Sequence, residues 1–260
     1  MKTQLLQRLD ASPFAKLGLA IIVFCLILGG WQAVGRYRAA HVTLPGGETR
    51  AGACSLWFIG SSSMHRWTSL DRDMAPWDAH NRGIDDATFA DILPRFANAA
   101  RDSKPAAIIL YAGENDIASG VEVRAVIRDL ARFLDLRNRM MSDVPVLILS
   151  MKPSPTRRSI FQSQMLFNRA VQKLIEPLPL THYADITTPL LKDGKLGDNY
   201  QADGVHMNPA GYRIWANVVR QRLNDVLPPV TIGRCVRQGG AVPPSRTAAD
   251  DQKMPRNFFS

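Results

Sequence analysis

Short, continuous apolar runs that alternate with amphipathic stretches constrain the fold of this chain most strongly. Residues 55–59 (SLWFI), 106–111 (AAIILY) and 144–149 (VPVLIL) are such runs, and residues 182–186 (HYADI) are a shorter candidate strand. Their length and lack of a polar face are typical of strands that are covered on both sides. Apolar residues recur at helical spacing in the stretches between and after them. Strands that alternate with helices predict an α/β fold, with a central parallel sheet and helices on both faces.

Charge and composition narrow the possible functions. The 260 residues carry a formal net charge of +9, and 46% of them are hydrophobic, which excludes a disordered or fibrous chain. Residues 1–50 carry six basic against two acidic residues, and residues 227–260 carry five against two. Residues 51–226 are nearly balanced, whereas a nucleic-acid-binding domain would concentrate basic residues on its folded part. No nucleic-acid partner is therefore expected.

The N-terminal segment predicts export. No charged residue occurs over residues 17–35, and basic residues precede this run. Its apolar core, residues 17–31, falls between a bilayer-crossing helix of roughly 20 residues and a signal-peptide core of about 7–15. We interpret residues 1–35 as a signal anchor that contacts the membrane through a transmembrane helix, or alternatively as a cleaved signal peptide. The domain would then face the periplasm or cell exterior, or be secreted.

The rest of the chain divides into a linker, one domain and a tail. Residues 36–53 contain turn-forming residues without periodicity and are predicted to be a linker. The predicted α/β domain covers residues 54–226. Residues 227–260, which are rich in proline, glycine and charge, are expected to form a poorly ordered basic tail.

The cysteines add one candidate crosslink. Cys25 lies in the apolar run, which leaves Cys54 and Cys235 in the exported part. In an oxidising compartment this pair is a candidate disulfide, and two unpaired thiols are the alternative. The last predicted helix runs antiparallel to the strands, so Cys235 could return to the edge of the sheet where Cys54 precedes the first strand.

Reactive side chains occur at the predicted carboxyl ends of strands, where parallel sheets carry their chemistry. The first such motif is Gly60–Met64 (GSSSM), with consecutive serines opening a helix after a strand. A serine at a sharp strand-to-helix turn exposes its hydroxyl, but Met64 stands where an α/β-hydrolase elbow has its second glycine. Serines at helix starts are also frequent caps. This motif alone therefore does not identify a nucleophile.

Two further motifs follow predicted strands. Asn81–Ile84 (NRGI) comes after a short candidate strand near residues 75–80 and by itself is only a turn. Gly113–Asp116 (GEND) comes directly after the strand that ends at Tyr111. The side-chain amide of Asn115 could donate to a developing oxyanion, or it could form an Asx-turn.

The fourth motif, Asp203–His206 (DGVH), contains the strongest candidate for a general base. A base histidine needs a carboxylate that fixes its tautomer and stabilises the imidazolium, and Asp203 lies three residues ahead of His206 on a predicted loop. The other histidines lack such an arrangement: His41, His65, His80 and His182.

Together, the four motifs resemble those of the SGNH hydrolase family, also called GDSL-type esterases and lipases, in the same order and over about residues 55–225. The resemblance implies a three-layer, flavodoxin-like sandwich. It also implies a catalytic triad of Ser62, Asp203 and His206. The implied oxyanion hole consists of the backbone N–H groups of Ser62 and Gly83 and the side chain of Asn115. Ser61 replaces the family's usual aspartate. Because serines flank Ser62 on both sides, the motif does not exclude Ser61 or Ser63 as the nucleophile.

The expected activity is hydrolysis of small, acetyl-type carboxylic esters through an acyl-enzyme intermediate. The substrate would be a small-molecule, carbohydrate or lipid ester. One alternative is an envelope glycan O-acetyltransferase that uses the same site, and another is a non-catalytic binding module on the same fold. No cofactor and no metal are expected.

Overall fold

The computed structural model describes residues 13–46, residue 52 and residues 54–239. The chain falls into two units that divide after Val42. The first unit contains helix α1 (Pro13–His41). The second unit contains a five-stranded sheet and the helices that cover it.

The bounds of the elements in the second unit are as follows. The strands of the sheet are β1 (Ser55–Gly60), β2 (Asp78–Gly83), β3 (Ala107–Tyr111), β4 (Val146–Leu149) and β5 (Thr181–Ala184). The helices are α2 (Ser62–His65), α3 (Leu70–Met74), α4 (Phe89–Asp102), α5 (Glu114–Ala118), α6 (Val123–Met140), α7 (Phe161–Ile175), α8 (Pro209–Val226) and α9 (Pro229–Gly239). A small hairpin consists of β6 (Leu191–Lys192) and β7 (Lys195–Leu196).

The sheet has the strand order β2-β1-β3-β4-β5, and all its neighbouring strands are parallel. The predicted α/β fold is thereby confirmed. The direction in which strands are added to the sheet reverses at β1, because β2 pairs with one edge of β1 and β3 pairs with the other edge. Loops that leave two such strands diverge, so a sheet of this topology is expected to have its crevice between the carboxyl ends of β1 and β3.

Two apolar clusters lie on opposite faces of the sheet and make the fold a three-layer sandwich. Alternate residues of β1 point to opposite faces: Trp57 and Ile59 belong to the cluster with α4, α6 and α7. Leu56 and Phe58 belong to the cluster with α3 and α8. Each such side chain stabilises the fold by about 1.5–3 kcal/mol when it is fully buried.

Helix α1 is longer than the sequence predicted. It continues through residues 36–41, which were assigned to the linker, because no proline or glycine interrupts this stretch. Leu44, also in the predicted linker, is buried in the core of the second unit. Within the described residues, no helix combines the length and the hydropathy needed to cross a membrane. Residues 1–12 of the predicted signal and residues 47–51 and 53 of the predicted linker lie outside the described residues.

The segment after α8 also differs from the prediction. It contains α9, where a poorly ordered tail was expected. Cys235 of α9 is fully buried and forms a disulfide bond with Cys54, with 5.4 Å between the Cα atoms. This crosslink and the packing of Ile232 against the core hold α9 in place. The helix has too few apolar positions to be predicted from the sequence. Residues 240–260 of the predicted tail lie outside the described residues.

Removal of this disulfide is expected to lower stability while leaving the predicted esterase activity intact. The bond closes a loop over a sequence separation of 181 residues, so its loss is expected to lower the free energy of unfolding by about 2–5 kcal/mol. It lies at the amino end of β1, whereas the crevice lies at the carboxyl end. Thermal unfolding and ester turnover of the Cys54→Ser/Cys235→Ser variant test this. An unchanged melting temperature would contradict the stabilising role.

Candidate active site

A sharp turn at the carboxyl end of β1 places Ser62 at the crevice. β1 ends at Gly60, and Ser62 is the first residue of α2, with 3% of its surface exposed. The backbone N–H of Ser61 donates to the carbonyl oxygen of Tyr111 on β3, at 3.3 Å. A Cβ atom at Gly60 would lie 2.2 Å from that same oxygen. The turn therefore requires glycine at this position.

Ser62, His206 and Asp203 form one hydrogen-bonded chain. The hydroxyl Oγ of Ser62 lies 2.8 Å from Nε2 of His206. The other ring nitrogen, Nδ1, lies 2.6 Å from Oδ2 of Asp203. Among the described serines at this turn, Ser62 is the one whose hydroxyl makes the bond to His206, and Ser61 and Ser63 do not. The structure thus brings together the three residues predicted as the triad.

The carboxylate of Asp203 is held in its ionised form. Its Oδ1 atom accepts the backbone N–H groups of Val205 at 2.9 Å and His206 at 3.0 Å. Burial alone would raise the pKa of Asp203, but hydrogen bonds from the His206 side chain and from these N–H groups lower it far below the usual value. Because an ionised carboxylate can only accept a hydrogen bond, the imidazole proton of His206 lies on Nδ1. Nε2 is then free to accept the proton of Ser62.

A loop that follows β4 supports the turn that carries Asp203. The hydroxyl of Thr156 donates to the carbonyl oxygen of Asp203 at 2.7 Å, and the N–H of Thr156 donates to that of Gly204 at 3.2 Å. Gly204 has a φ of +64°, and a Cβ atom there would lie 2.3 Å from Oγ1 of Thr156. These contacts hold the backbone of the turn that carries Asp203 against the loop that follows β4.

The side chain of Asn115 points its amide across the crevice. Asn115 lies in the first turn of α5 and is 8% exposed. Its Nδ2 atom donates to the carbonyl oxygen of Ala87 at 3.1 Å, and its Oδ1 atom accepts from Nη1 of Arg157 at 2.9 Å. An amide nitrogen carries two hydrogens, so one remains for a ligand in the crevice.

The structure gives Gly83 a different role from the predicted one. Its N–H group donates to Oδ1 of Asn81 at 3.0 Å and is therefore not free for an oxyanion. A Cβ atom at Gly83 would lie 2.2 Å from the backbone nitrogen of His65, so the glycine allows β2 to pack closely against α2. Nδ2 of Asn81 donates to the carbonyl oxygen of Met64 at 2.7 Å. The motif thus fastens the serine-bearing helix, and most of it lies inside β2, which ends later than the predicted strand.

The turn after β2 contains an unpredicted backbone feature. Asp86 has a φ of +51°, a left-handed conformation that glycine usually adopts. Within the described chain, no protein acceptor takes its N–H group. The next residue, Ala87, accepts the bond from Asn115. The side chain of Asp85 lies 3.6 Å from Arg66, which lies 3.6 Å from Asp203. This turn is therefore connected to Asn115 through Ala87 and to Asp203 through Arg66.

A buried ionic cluster lies behind Asn115. Glu114 is 1% exposed and Lys152 is fully buried, with 3.2 Å between Oε2 and Nζ. Nη1 of Arg157 lies 3.3 Å from Oε1 of Glu114, and the hydroxyl of Tyr111 donates to Oε2. Burial alone would raise the pKa of Glu114, but the two cations outweigh it and lower that pKa. Burial lowers the pKa of Lys152, against the opposing effect of Glu114.

Neither Lys152 nor Arg157 was predicted from the sequence as part of the site. The sequence did contain a signal for Lys152, because this lysine follows the buried apolar strand β4 within a few residues. A lysine that is buried there needs a charged partner. The position of Arg157 had no such signal. Within the described residues, no group of three or more His, Cys, Asp or Glu side chains is placed to hold a metal ion.

Comparison with known proteins gives one family match. The model of the GDSL-like lipase/acylhydrolase family matches residues 52–214, which is more than half of the chain. No curated protein matches the sequence.

Solved structures share the fold at low sequence identity. A GDSL-like lipase from Bacteroides thetaiotaomicron is 22% identical with a TM-score of 0.57, over 74% of this chain and 96% of its own. A family 3 carbohydrate esterase from Clostridium thermocellum is 15% identical with a TM-score of 0.56, over 66% and 96%. One from Talaromyces cellulolyticus is 17% identical with a TM-score of 0.53, over 66% and 97%.

Proposed function

Because the chain belongs to the GDSL-like lipase/acylhydrolase family, we propose that it is a serine esterase that hydrolyses small acyl esters through an acyl-enzyme intermediate. The observation that carries this proposal is the bond of 2.8 Å between Oγ of Ser62 and Nε2 of His206. A serine hydroxyl is a weak nucleophile unless an adjacent base takes its proton. Here the base is oriented by a carboxylate at 2.6 Å.

The reaction would proceed in two steps, acylation of Ser62 and hydrolysis of the acyl-enzyme, with His206 as the base in each. His206 takes the proton of Ser62 while Oγ attacks the ester carbonyl carbon. The tetrahedral intermediate collapses, and His206 gives the proton to the leaving alcohol. Water then attacks the acyl-Ser62 ester, with His206 again as the base, and releases the carboxylic acid. Asp203 stays ionised and stabilises the imidazolium in both steps.

The oxyanion would be bound by the backbone N–H of Ser62 and the side-chain amide of Asn115. We assign the third donor to the backbone N–H of Asp86. The left-handed φ of Asp86, its lack of a protein acceptor within the described chain and the bond between Ala87 and Asn115 support this assignment. It replaces the predicted donor Gly83, whose N–H is taken by Asn81.

Substitutions of Asp86 test the backbone assignment. Asp86→Gly is expected to retain activity, because glycine adopts a positive φ without strain. Asp86→Val is expected to lower kcat, because a β-branched residue disfavours this φ. The loss would approach the ~10²–10³-fold effect of removing one oxyanion donor. The measurement is kcat on one ester for both variants. Equal activities of Asp86→Gly and Asp86→Val would contradict the assignment.

We propose an acetylated carbohydrate as the substrate class. Two structural neighbours are described as family 3 carbohydrate esterases and another as an acetyl esterase, and these descriptions support an acetyl ester of a sugar. The test is hydrolysis of p-nitrophenyl esters of graded acyl length, together with acetate release from acetylated xylan and acetylated sugars. Ser62→Ala is the control. Failure to hydrolyse any ester would overturn the esterase proposal, and transfer of the acyl group to an added sugar instead of water would replace hydrolase by acyltransferase.

We further propose that the domain works outside the cytoplasm. A disulfide such as Cys54–Cys235 persists in oxidising compartments, and residues 17–31 are an apolar run preceded by basic residues. Fractionation and the mass of the recovered protein test this. Loss of residues 1–35 would mark a cleaved signal, and an intact chain in the membrane fraction would mark a retained one. An intact chain in the cytosolic fraction would contradict export.

A further inference from the structure

The ionic cluster behind the crevice has one more cation than its carboxylate requires. The side chains of Glu114 and Lys152 are 2% and 0% exposed and already form a close pair. The guanidinium of Arg157, whose side chain is 23% exposed, also lies 3.3 Å from Glu114. One carboxylate therefore faces two cations, and Arg157 is the more exposed of the two.

The same guanidinium nitrogen makes a second contact. Nη1 of Arg157 donates to Oδ1 of Asn115 at 2.9 Å, while Nδ2 of Asn115 donates to Ala87 at 3.1 Å. These two bonds select one orientation of the amide. A rotation by half a turn would place the NH₂ group against the cation and Oδ1 against a carbonyl oxygen, and both contacts would be repulsive.

We propose that Arg157 is a positioning residue for the oxyanion hole, which orients the amide of Asn115 and strengthens its N–H as a donor. The inference rests on the proposed esterase function of this site. A hydrogen bond from a cation to Oδ1 draws electron density from the amide nitrogen, and bonds in such a chain strengthen one another. The buried pair of Glu114 and Lys152 gives the guanidinium a fixed anion to lie against.

The backbone before Arg157 is fixed as well. Thr156 is bonded to the turn of Asp203 and Gly204. Consecutive residues of one loop thus contact both parts of the site: Thr156 bonds to the backbone of the turn that carries Asp203, and Arg157 bonds to the side chain of Asn115. An ordinary surface ion pair between Arg157 and Glu114 would need neither the bonds of Thr156 to the turn of Asp203 and Gly204 nor the bond of Arg157 to Asn115.

Kinetics of a matched set of variants tests the proposal. Arg157→Met is expected to lower kcat by about 10- to 100-fold with KM nearly unchanged, as for the loss of a hydrogen bond to a charged group. Arg158→Met, which removes the same charge from an exposed neighbour, is expected to keep wild-type values. Arg157→Met should still fold, because Glu114 retains Lys152 as its partner.

The double variant separates positioning from an independent effect. Asn115→Ala alone is expected to lower kcat by ~10²–10³-fold. Adding Arg157→Met to it should cost little more, because no amide remains to be oriented. If the two losses multiply in full, Arg157 does not act through Asn115 and the inference is overturned.

A readout without catalysis distinguishes this inference from the esterase proposal. In ¹H–¹⁵N spectra, the side-chain amide signals of Asn115 are identified by their absence in Asn115→Ala. They are expected to shift in Arg157→Met and to stay in place in Arg158→Met. Unshifted signals in Arg157→Met would overturn the positioning role whatever the activity. A wild-type protein that hydrolyses no ester would overturn the esterase proposal alone.

Discussion

Replacing Ser62 by alanine is expected to abolish ester hydrolysis, with kcat lowered by about 10⁶-fold, the effect typical of removing a serine nucleophile whose base and orienting carboxylate remain. The reason is geometric, because Ser62 is the serine whose Oγ lies 2.8 Å from His206. Covalent labelling by an organophosphonate should disappear with the activity. The measurement is kcat on a p-nitrophenyl ester, together with the mass of the labelled protein.

The neighbouring serines are the matched controls for this variant. Ser61→Ala and Ser63→Ala are expected to retain measurable activity and labelling. Ser61 caps α2 without a side-chain hydrogen bond, and the described contact of Ser63 uses its backbone carbonyl, which accepts from Tyr212. Labelling that persists in Ser62→Ala would reject the assignment of the nucleophile.

The second large effect concerns the buried ion pair. Glu114→Gln is expected to lower the free energy of unfolding by about 3–5 kcal/mol, because it leaves the ammonium of Lys152 buried without a counter-charge. The side chains of both partners are nearly inaccessible to solvent, at 2% and 0% exposure, so water cannot replace the lost carboxylate. Urea unfolding of the variant and the wild type, followed by tryptophan fluorescence, gives the difference.

Two further variants show whether the charge itself causes the loss. Glu114→Gln combined with Lys152→Met should recover part of the stability, because it removes the unpaired cation. Asp135→Asn breaks the pair of Asp135 with Arg139, whose side chains are 52% and 70% exposed, and should cost only ~0.2–1 kcal/mol. Equal losses for the buried and the exposed pair would contradict the role of burial.

The sequence predicted the sheet well because burial on both faces leaves a strong local pattern. The runs at residues 55–59, 106–111 and 144–149 became β1, β3 and β4 within a few residues. Helix α9 has no comparable pattern, because a disulfide and a few apolar contacts hold it. Such long-range constraints are not visible as periodicity.

The residues of the candidate site were predictable where the chemistry requires a particular side chain. They were less predictable where the role depends on the backbone conformation or a backbone N–H group. Ser62, Asn115, Asp203 and His206 were found because their side chains form the chemistry. The family resemblance predicts Gly83 as an oxyanion donor, but the absence of a side chain there allows close packing against His65. Asp86 was overlooked because a non-glycine residue holds the left-handed φ. Arg157 meets Asn115 across 42 residues of sequence, a contact that only the tertiary fold reveals.

The crosslink between Cys54 and Cys235 also determines how the domain would bear mechanical load. Tension applied through the segments on either side of these residues would pass across a covalent bond instead of through the sheet. The chain between them, with a sequence separation of 181 residues, would be shielded from the force. At about 3.3–3.6 Å per extended residue, roughly 600 Å of chain would stay folded under a pull that extends the flanking segments. Release of that length would require reduction of the bond, so the redox state of the surroundings would set whether the domain can be pulled open.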